Sequence, residues 1–202
     1  MNLQTLTSPS LISTGRSFQS KDEVIRSLVH QLAVAGKLHS EEAFYEAVMD
    51  RERQSATGLE GGLAIPHGKS TAVKEAAFAV ATLQKPLSTW ESIDPDNQVE
   101  LVVLLAIPEA EAGSLHISLL AELAKRLANP EYKERLLRSA TSQELYANLE
   151  VTEAQNQPAA PAVKPLGKTV LAVTACPAGI AHTYMAAEAL VKAGRELGVA
   201  VY

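Results

Sequence analysis

An α/β layer fold is the expectation for this chain, and three observations carry it. Ala76–Leu83 is mostly apolar and Val99–Ile107 almost wholly so, as strands covered on both faces are. Around them lie segments with apolar residues at helical spacing, two of them opened by a Ser or Thr followed three residues later by Glu. Strands interleaved with helices in this manner pack as a sheet between helical layers.

The elements follow in order. Residues 1–19 are rich in Ser and Thr, with weak strand character around Leu11-Ile12. Ser20 and Glu23 form a capping box, Val24, Ile25, Leu28, Val29 and Leu32 share one helical face, and Gly36 ends that helix. Ser40 caps a second helix from Glu41 to about Arg53, with Phe44, Ala47, Val48 and Arg51 as its stripe. Leu63-Ala64-Ile65 reads as a short buried strand, and the two apolar strands follow, with Lys85-Pro86 and Asp94-Pro95 marking the loop between them. Trp90 in that loop reads as local packing. Gly113-Ser114 opens a helix through Ala128, Pro130 starts another, and Thr141 with Glu144 caps a last one through about Leu149.

Composition sets limits. With 202 residues and 47% hydrophobic content, the chain holds one ordinary domain plus part of a second. A net charge of −5 offers no basic surface for nucleic acid or an anionic membrane. One cysteine excludes an internal disulfide and fits a reducing cytoplasm. No basic–apolar–small leader pattern stands at the N-terminus, and no apolar run reaches the roughly 18 residues of a membrane span.

The stretch Gly61-Gly62-Leu63-Ala64-Ile65-Pro66-His67-Gly68-Lys69-Ser70 carries the chemistry. Pro66 holds Ile65 extended and stiffens the strand end. Gly68 is expected to turn the backbone away and leave the His67 ring at the lip of the sheet, near Lys69. An imidazole so presented suits attack on a phosphoryl group, although a lone histidine at a strand end is more often a turn residue. The ending Gly68-Lys69-Ser70 imitates a nucleotide-binding loop, but five residues separate Gly62 from Gly68 where that loop has four. Pro66 also removes a backbone donor, so an ATP site is excluded.

Two cations accompany this histidine. Arg51 lies on the buried side of its helix, where a guanidinium needs an anion. A transient phosphoryl group and a structural carboxylate such as Glu60 fit equally well. His116 shares a face with Leu119, Leu120, Leu123 and Leu127, the pattern of a packed core histidine. Its place in the first helical turn favours a nearby anion instead.

Residues 151–167 have the Pro/Ala/Gln composition of a tether. A second pattern follows: an apolar strand over Thr169–Ala175, the loop Cys176-Pro177-Ala178-Gly179-Ile180-Ala181-His182-Thr183, a helix over Tyr184–Leu197, and a strand start at Val199–Tyr202. A cysteine at a strand tip before a helix N-terminus has its thiolate favoured, whereas a buried structural cysteine usually sits within an element. About 35 residues do not bury an independent core, so the natural chain is expected to continue past Tyr202.

These residues carry a resemblance. Arg51-Glu52-Arg53, Ser55-Ala56-Thr57-Gly58 and Gly62-Leu63-Ala64-Ile65-Pro66-His67-Gly68 resemble the enzyme IIA domain of the fructose–mannitol class of the bacterial sugar phosphotransferase system. The run Cys176 to Glu188 is similar to the start of a fructose-type enzyme IIB domain. The resemblance implies a mixed β-sheet flanked by helices over residues 1–150, a linker over 151–167, and a truncated βαβ fragment of IIB over 168–202. It implies that His67 takes phosphate on Nε2 from the histidine phosphocarrier protein, with Arg51 and His116 lining the site. Cys176 would take the phosphate next for sugar uptake, through a IIC membrane domain absent from this sequence. It implies no cofactor and no metal, a cytoplasmic location, and fructose or a mannose derivative such as mannosylglycerate as the sugar.

Three readings compete on the residues alone: a phosphoryl carrier, a regulatory module phosphorylated only to control a partner, and a cysteine phosphatase. The last is weak, because its anion loop ends in Arg where this chain has His182. A tether of about 16 residues spans on the order of 20–25 Å, so a hop from His67 to Cys176 would run at millimolar effective concentration.

Overall fold

The computed structural model describes residues 3–111, 115–127, 129–150, 169–170, 172, 174, 186–187, 189–194 and 199–201. Short 3-10 turns at Leu3–Leu6 and Pro9–Leu11 lead into strand β1 (Ile12–Arg16). Helices α1 (Lys21–Val34) and α2 (Glu41–Gln54) follow, then β2 (Leu63–Ala64), β3 (His67–Ser70), β4 (Ala77–Leu87) and β5 (Val99–Pro108). Helices α3 (Leu115–Leu127), α4 (Pro130–Arg138) and α5 (Ser142–Asn148) complete this part.

The helix starts behave as the capping residues dictate. Ser20 Oγ accepts from Glu23 N at 3.2 Å, Ser40 Oγ from Ala43 N at 3.2 Å, and Thr141 Oγ1 from Glu144 N at 3.2 Å. The boxes close one residue earlier than the simplest form. Glu23 accepts from Gln19 N and Glu144 from Ala140 N, the residues before each cap.

The sheet is mixed, in the order β1-β4-β5-β2, with β3 also paired to β5. Only β4 and β5 run antiparallel; β1, β2 and β3 lie parallel to their partners. Leu63 opposes Leu101 and His67 opposes Leu105, so β2 and β3 keep one register and form a single edge strand broken at Ile65-Pro66. Pro66 has no N–H for the ladder, yet its carbonyl still accepts from Leu105 N at 3.0 Å.

Alternation along the strands divides the core in two. Ala64, Ala77, Ala79, Ala81, Val102, Leu104 and Ala106 face α1 and α2, whose Ile25, Leu28, Leu32, Phe44 and Val48 cover them. Leu63, Ile65, Phe78, Val80, Leu101, Val103, Leu105 and Ile107 face Leu119, Leu123 and Leu127 of α3, with Tyr132, Leu136 and Leu145 beyond. This is the layered α/β arrangement expected, with the mixed sheet between two helical layers.

Three local expectations need correction. Gly68 does not turn the chain away: it lies inside β3 without positive φ, because the register on β5 resumes as soon as Pro66 is passed. Lys85-Pro86 stands within β4, where a register shift before Leu87 admits the proline. On α2 the buried positions are Phe44, Tyr45, Val48 and Glu52, while Arg51 is half-buried.

In the C-terminal part, β6 (Thr169–Val170) pairs parallel with β7 (Ala200–Val201), and residues 186–187 and 189–194 are helical. That is the strand–helix–strand order read from the sequence. The tether and the loop from Cys176 to Thr183 lie outside the described residues. No helix among the described residues is long and apolar enough to cross a membrane.

Candidate active site

The edge strand and the end of α2 build the site between them. Leu63, Ile65 and His67 alternate onto the face that packs against α3, while Ala64 and Gly68 turn toward α2. A Cβ placed on Gly68 would stand 2.8 Å from Val48 Cγ2 and 2.9 Å from Phe44 Cε2. The glycine therefore matters for close approach rather than for a turn. With α2 this near, Arg51, one helical turn beyond Val48, reaches the His67 ring at the open edge.

Two of its contacts orient that ring. His67 Nδ1 lies 2.9 Å from the Ile65 carbonyl oxygen, and Arg51 Nε lies 3.0 Å from His67 Nε2. A carbonyl only accepts and a guanidinium only donates. The proton therefore sits on Nδ1 and the lone pair on Nε2, a tautomer assigned from the partners. Ile65 O is available because Ile65 N has turned outward to Thr57 O at 3.0 Å. Arg51 is anchored in turn: its Nη1 donates to Ser55 O at 3.0 Å, just past the end of α2. The chemistry available is nucleophilic attack by Nε2 beside a fixed cation, with Nδ1–H held throughout.

The structure thus brings His67 and Arg51 together. His116 is the second residue of α3, in the first turn as expected, but its side chain lies outside the described residues. Cys176 lies outside them altogether. Lys69, expected nearby, is exposed on β3.

Sequence reasoning missed several supports. Asn97 is buried, with Oδ1 accepting from Gly62 N at 2.7 Å and Nδ2 donating to Ser92 Oγ at 3.0 Å. It fixes the Gly61-Gly62 turn, where both residues take positive φ, at the entrance to β2. Glu52 and Thr57 are buried and bonded to one another. Tyr45, Val48 and Glu52 share helical spacing, which was a legible signal. Burial pushes the Glu52 carboxyl up, against the opposing pull of the Thr57 hydroxyl, Lys21 and Arg51.

Comparison with known proteins bears on the family and the fold. A family model described as "Phosphoenolpyruvate-dependent sugar phosphotransferase system, EIIA 2" matches residues 5–151. Another, described as "PTS system, Lactose/Cellobiose specific IIB subunit", matches residues 171–202, a different sugar wording from the fructose-type expectation. The 2-O-alpha-mannosyl-D-glycerate-specific EIIABC component of Escherichia coli (strain K12) is 51% identical over 202 residues, all of this chain and 30% of that protein. The fructose-specific EIIABC component of Bacillus subtilis (strain 168) is 35% identical over 210 residues, all of this chain and 32% of that protein. The chain spans about a third of the length of these relatives. Among solved structures, the nitrogen regulatory protein IIA-Ntr from Neisseria meningitidis aligns with a TM-score of 0.65 at 27% identity, over 72% of this chain and 97% of that one. The chain therefore belongs to the EIIA 2 family of the phosphoenolpyruvate-dependent sugar phosphotransferase system, followed by a segment of PTS IIB.

Proposed function

We propose that this chain carries phosphoryl groups for sugar uptake, with His67 as acceptor and Cys176 as the next station. One observation supports the reading above all: Nε2 holds a lone pair against Arg51 while Nδ1–H is bound to Ile65 O. In the proposed step, the lone pair on Nε2 attacks the phosphorus of a phosphohistidine on the histidine phosphocarrier protein. The new N–P bond forms as the donor's N–P bond breaks, and the carrier's nitrogen recovers its electron pair. The phosphoryl group occupies the place where Arg51 now meets Nε2, and the guanidinium then binds phosphoryl oxygens. Ile65 O offsets the positive charge that the ring acquires.

His116, from the first turn of α3, is assigned to the same oxygens. The second hop passes phosphorus to the Cys176 thiolate, forming an S–P bond while Nε2 recovers its pair. Residues 1–150 act as the IIA unit, 151–167 as tether and 168–202 as part of the IIB unit, with a IIC partner completing transport. The sugar to test first is a mannosylglycerate, ahead of fructose, since the relative named for the former is 51% identical and the one named for the latter 35%.

A regulatory reading stands second, because the fold is shared with a protein titled nitrogen regulatory protein. Labelled phosphocarrier separates the two. The expected result is acid-labile label on the chain, none on His67→Gln, and label retained on His67 when Cys176→Ser blocks passage. Equal labelling of His67→Gln overturns the carrier reading. Label on His67 that never reaches Cys176 selects the regulatory one.

A further inference from the structure

The supports of His67 and Arg51 close into a ring of contacts within residues 51–67. Arg51 Nη1 donates to Ser55 O at 3.0 Å, and Arg51 Nε donates to His67 Nε2 at 3.0 Å. His67 Nδ1–H donates to Ile65 O at 2.9 Å, and Ile65 N donates to Thr57 O at 3.0 Å. The Thr57 hydroxyl then donates to Glu52 Oε1, returning to the residue beside Arg51. The segment from Ser55 to Thr57 therefore holds the cation directly, through Ser55 O, and the imidazole at one remove, through the Thr57 carbonyl that accepts from Ile65 N.

What holds that segment is a buried carboxylate. The Glu52 side chain is 2% exposed, and its Oε2 rests 3.4 Å from Lys21 Nζ, an ion-pair contact without hydrogen-bond geometry. Lys21 also pairs with the exposed Glu91. Beyond Thr57, Gly58 is gripped by backbone bonds, its N donating to Glu91 O at 3.3 Å and its O accepting from Ile93 N at 3.0 Å. A Cβ on Gly58 would fall 2.0 Å from Ser92 Oγ, so the segment has no room to shift on that side. A carboxylate buried beside one ammonium is a poor source of stability compared with apolar packing. Its geometric consequence is clear: it fixes the direction of the Thr57 hydroxyl, and with it the carbonyl that steers Ile65.

We propose that Glu52 and Thr57 are positioning residues for phosphoryl transfer, setting the tautomer of His67 and the reach of Arg51 through the Ser55–Thr57 segment. The inference rests on the reading of His67 as the acceptor, but its central readout does not. Nitrogen-15 correlations of the His67 ring report which nitrogen carries the proton, with or without a donor protein present.

The test compares the chain with Thr57→Val and Thr57→Ser, recording ring tautomer, labelling rate and thermal midpoint. Valine keeps the shape and removes the hydroxyl, while serine keeps the hydroxyl. In Thr57→Val the expected results are a mixture of Nδ1–H and Nε2–H rings and labelling slowed by about ten- to a hundredfold, the scale of a slightly misplaced reacting group. Thr57→Ser restores both. A Thr57→Val protein that melts earlier yet keeps the Nδ1–H ring or the original rate overturns the proposal and leaves the pair a packing role. If the parent chain takes no label, the carrier reading fails and the ring measurement alone decides the positioning claim.

Discussion

The two faces of the sheet are built to different tolerances. Toward α3 the strands present Phe78, Val80, Leu101, Val103, Leu105 and Ile107, large side chains that fill space at a distance. Toward α1 and α2 they present Ala64, Ala77, Ala79, Ala81 and Ala106 around Val102 and Leu104, with Gly68 at the edge. Small residues bring a helix close, and a close helix has little freedom to shift. The face with the tighter fit is the one that delivers Arg51. The looser face carries His67 by strand alternation and supplies bulk. The site lies where the faces meet, along the outer edge of β2 and β3, so a helix from one face is able to touch a ring from the other.

The sharpest way to break this comparison is to remove what crosses the edge. Arg51→Ala is expected to slow labelling of His67 by about 10²–10³-fold, as loss of a preorganised cationic donor does, while the thermal midpoint moves little. Unchanged labelling would show that the contact to Nε2 is incidental. Lysine is no substitute, since one ammonium on a flexible stem does not reproduce the fork that spans Ser55 O and His67 Nε2.

Next in size is a cavity on the looser face. Leu123 is 1% exposed and packs among the large sheet residues. Leu123→Ala is expected to cost about 2–5 kcal/mol in chemical denaturation with the labelling rate per folded molecule preserved. A rate that falls with stability would mean that α3, which bears His116, is held to as close a tolerance as α2. Gly68→Ala probes the tight face. The added methyl meets Val48 and Phe44 below 3.0 Å, and overpacking of this kind costs about 1–3 kcal/mol. Here rate and stability are expected to fall together, because the displaced helix is the one that bears Arg51. A Gly68→Ala protein with lowered stability and full activity would dissolve the distinction between the faces.

Much of this was legible in the residues. Caps at Ser20, Ser40 and Thr141, the apolar runs of β4 and β5, and Pro66 before His67 have local causes, and local causes are written in adjacent residues. The meeting of Arg51 with His67 was legible only as a shared motif, because spacing alone left Arg51 open to a carboxylate partner. Gly68 was read for the wrong property. Its φ is ordinary, and the demand on it comes from Val48 and Phe44, which adjoin it only after folding. Glu52 is in part a similar case: its spacing from Tyr45 and Val48 marks the covered side of α2, but its partners Thr57 and Lys21 adjoin it only after folding. Asn97 gave no signal at all, since its partners, the Gly62 amide and Ser92, are loop groups set by tertiary contact.

The smallest expected effect is a slope rather than a loss, and it belongs to the tight face. Burial raises the Glu52 carboxyl above its ordinary value of 4.5, with the Thr57 hydroxyl, Lys21 and Arg51 pulling the other way. A carboxyl raised in the folded state binds its proton more firmly there than in the unfolded chain. Its favourable contribution is complete below the ordinary value and is lost as pH climbs through the raised one. Glutamine at this position keeps an oxygen for the Thr57 hydroxyl and carries no titrating charge. The difference in stability between Glu52→Gln and the parent chain is therefore expected to shift in favour of the variant as pH rises above about 4.5, the ordinary carboxylate range. Denaturant melts of both proteins at a series of pH values measure that difference directly. A flat difference would mean that the Thr57 hydroxyl, Lys21 and Arg51 together offset the burial, and that the carboxylate sits in the tight face at no cost.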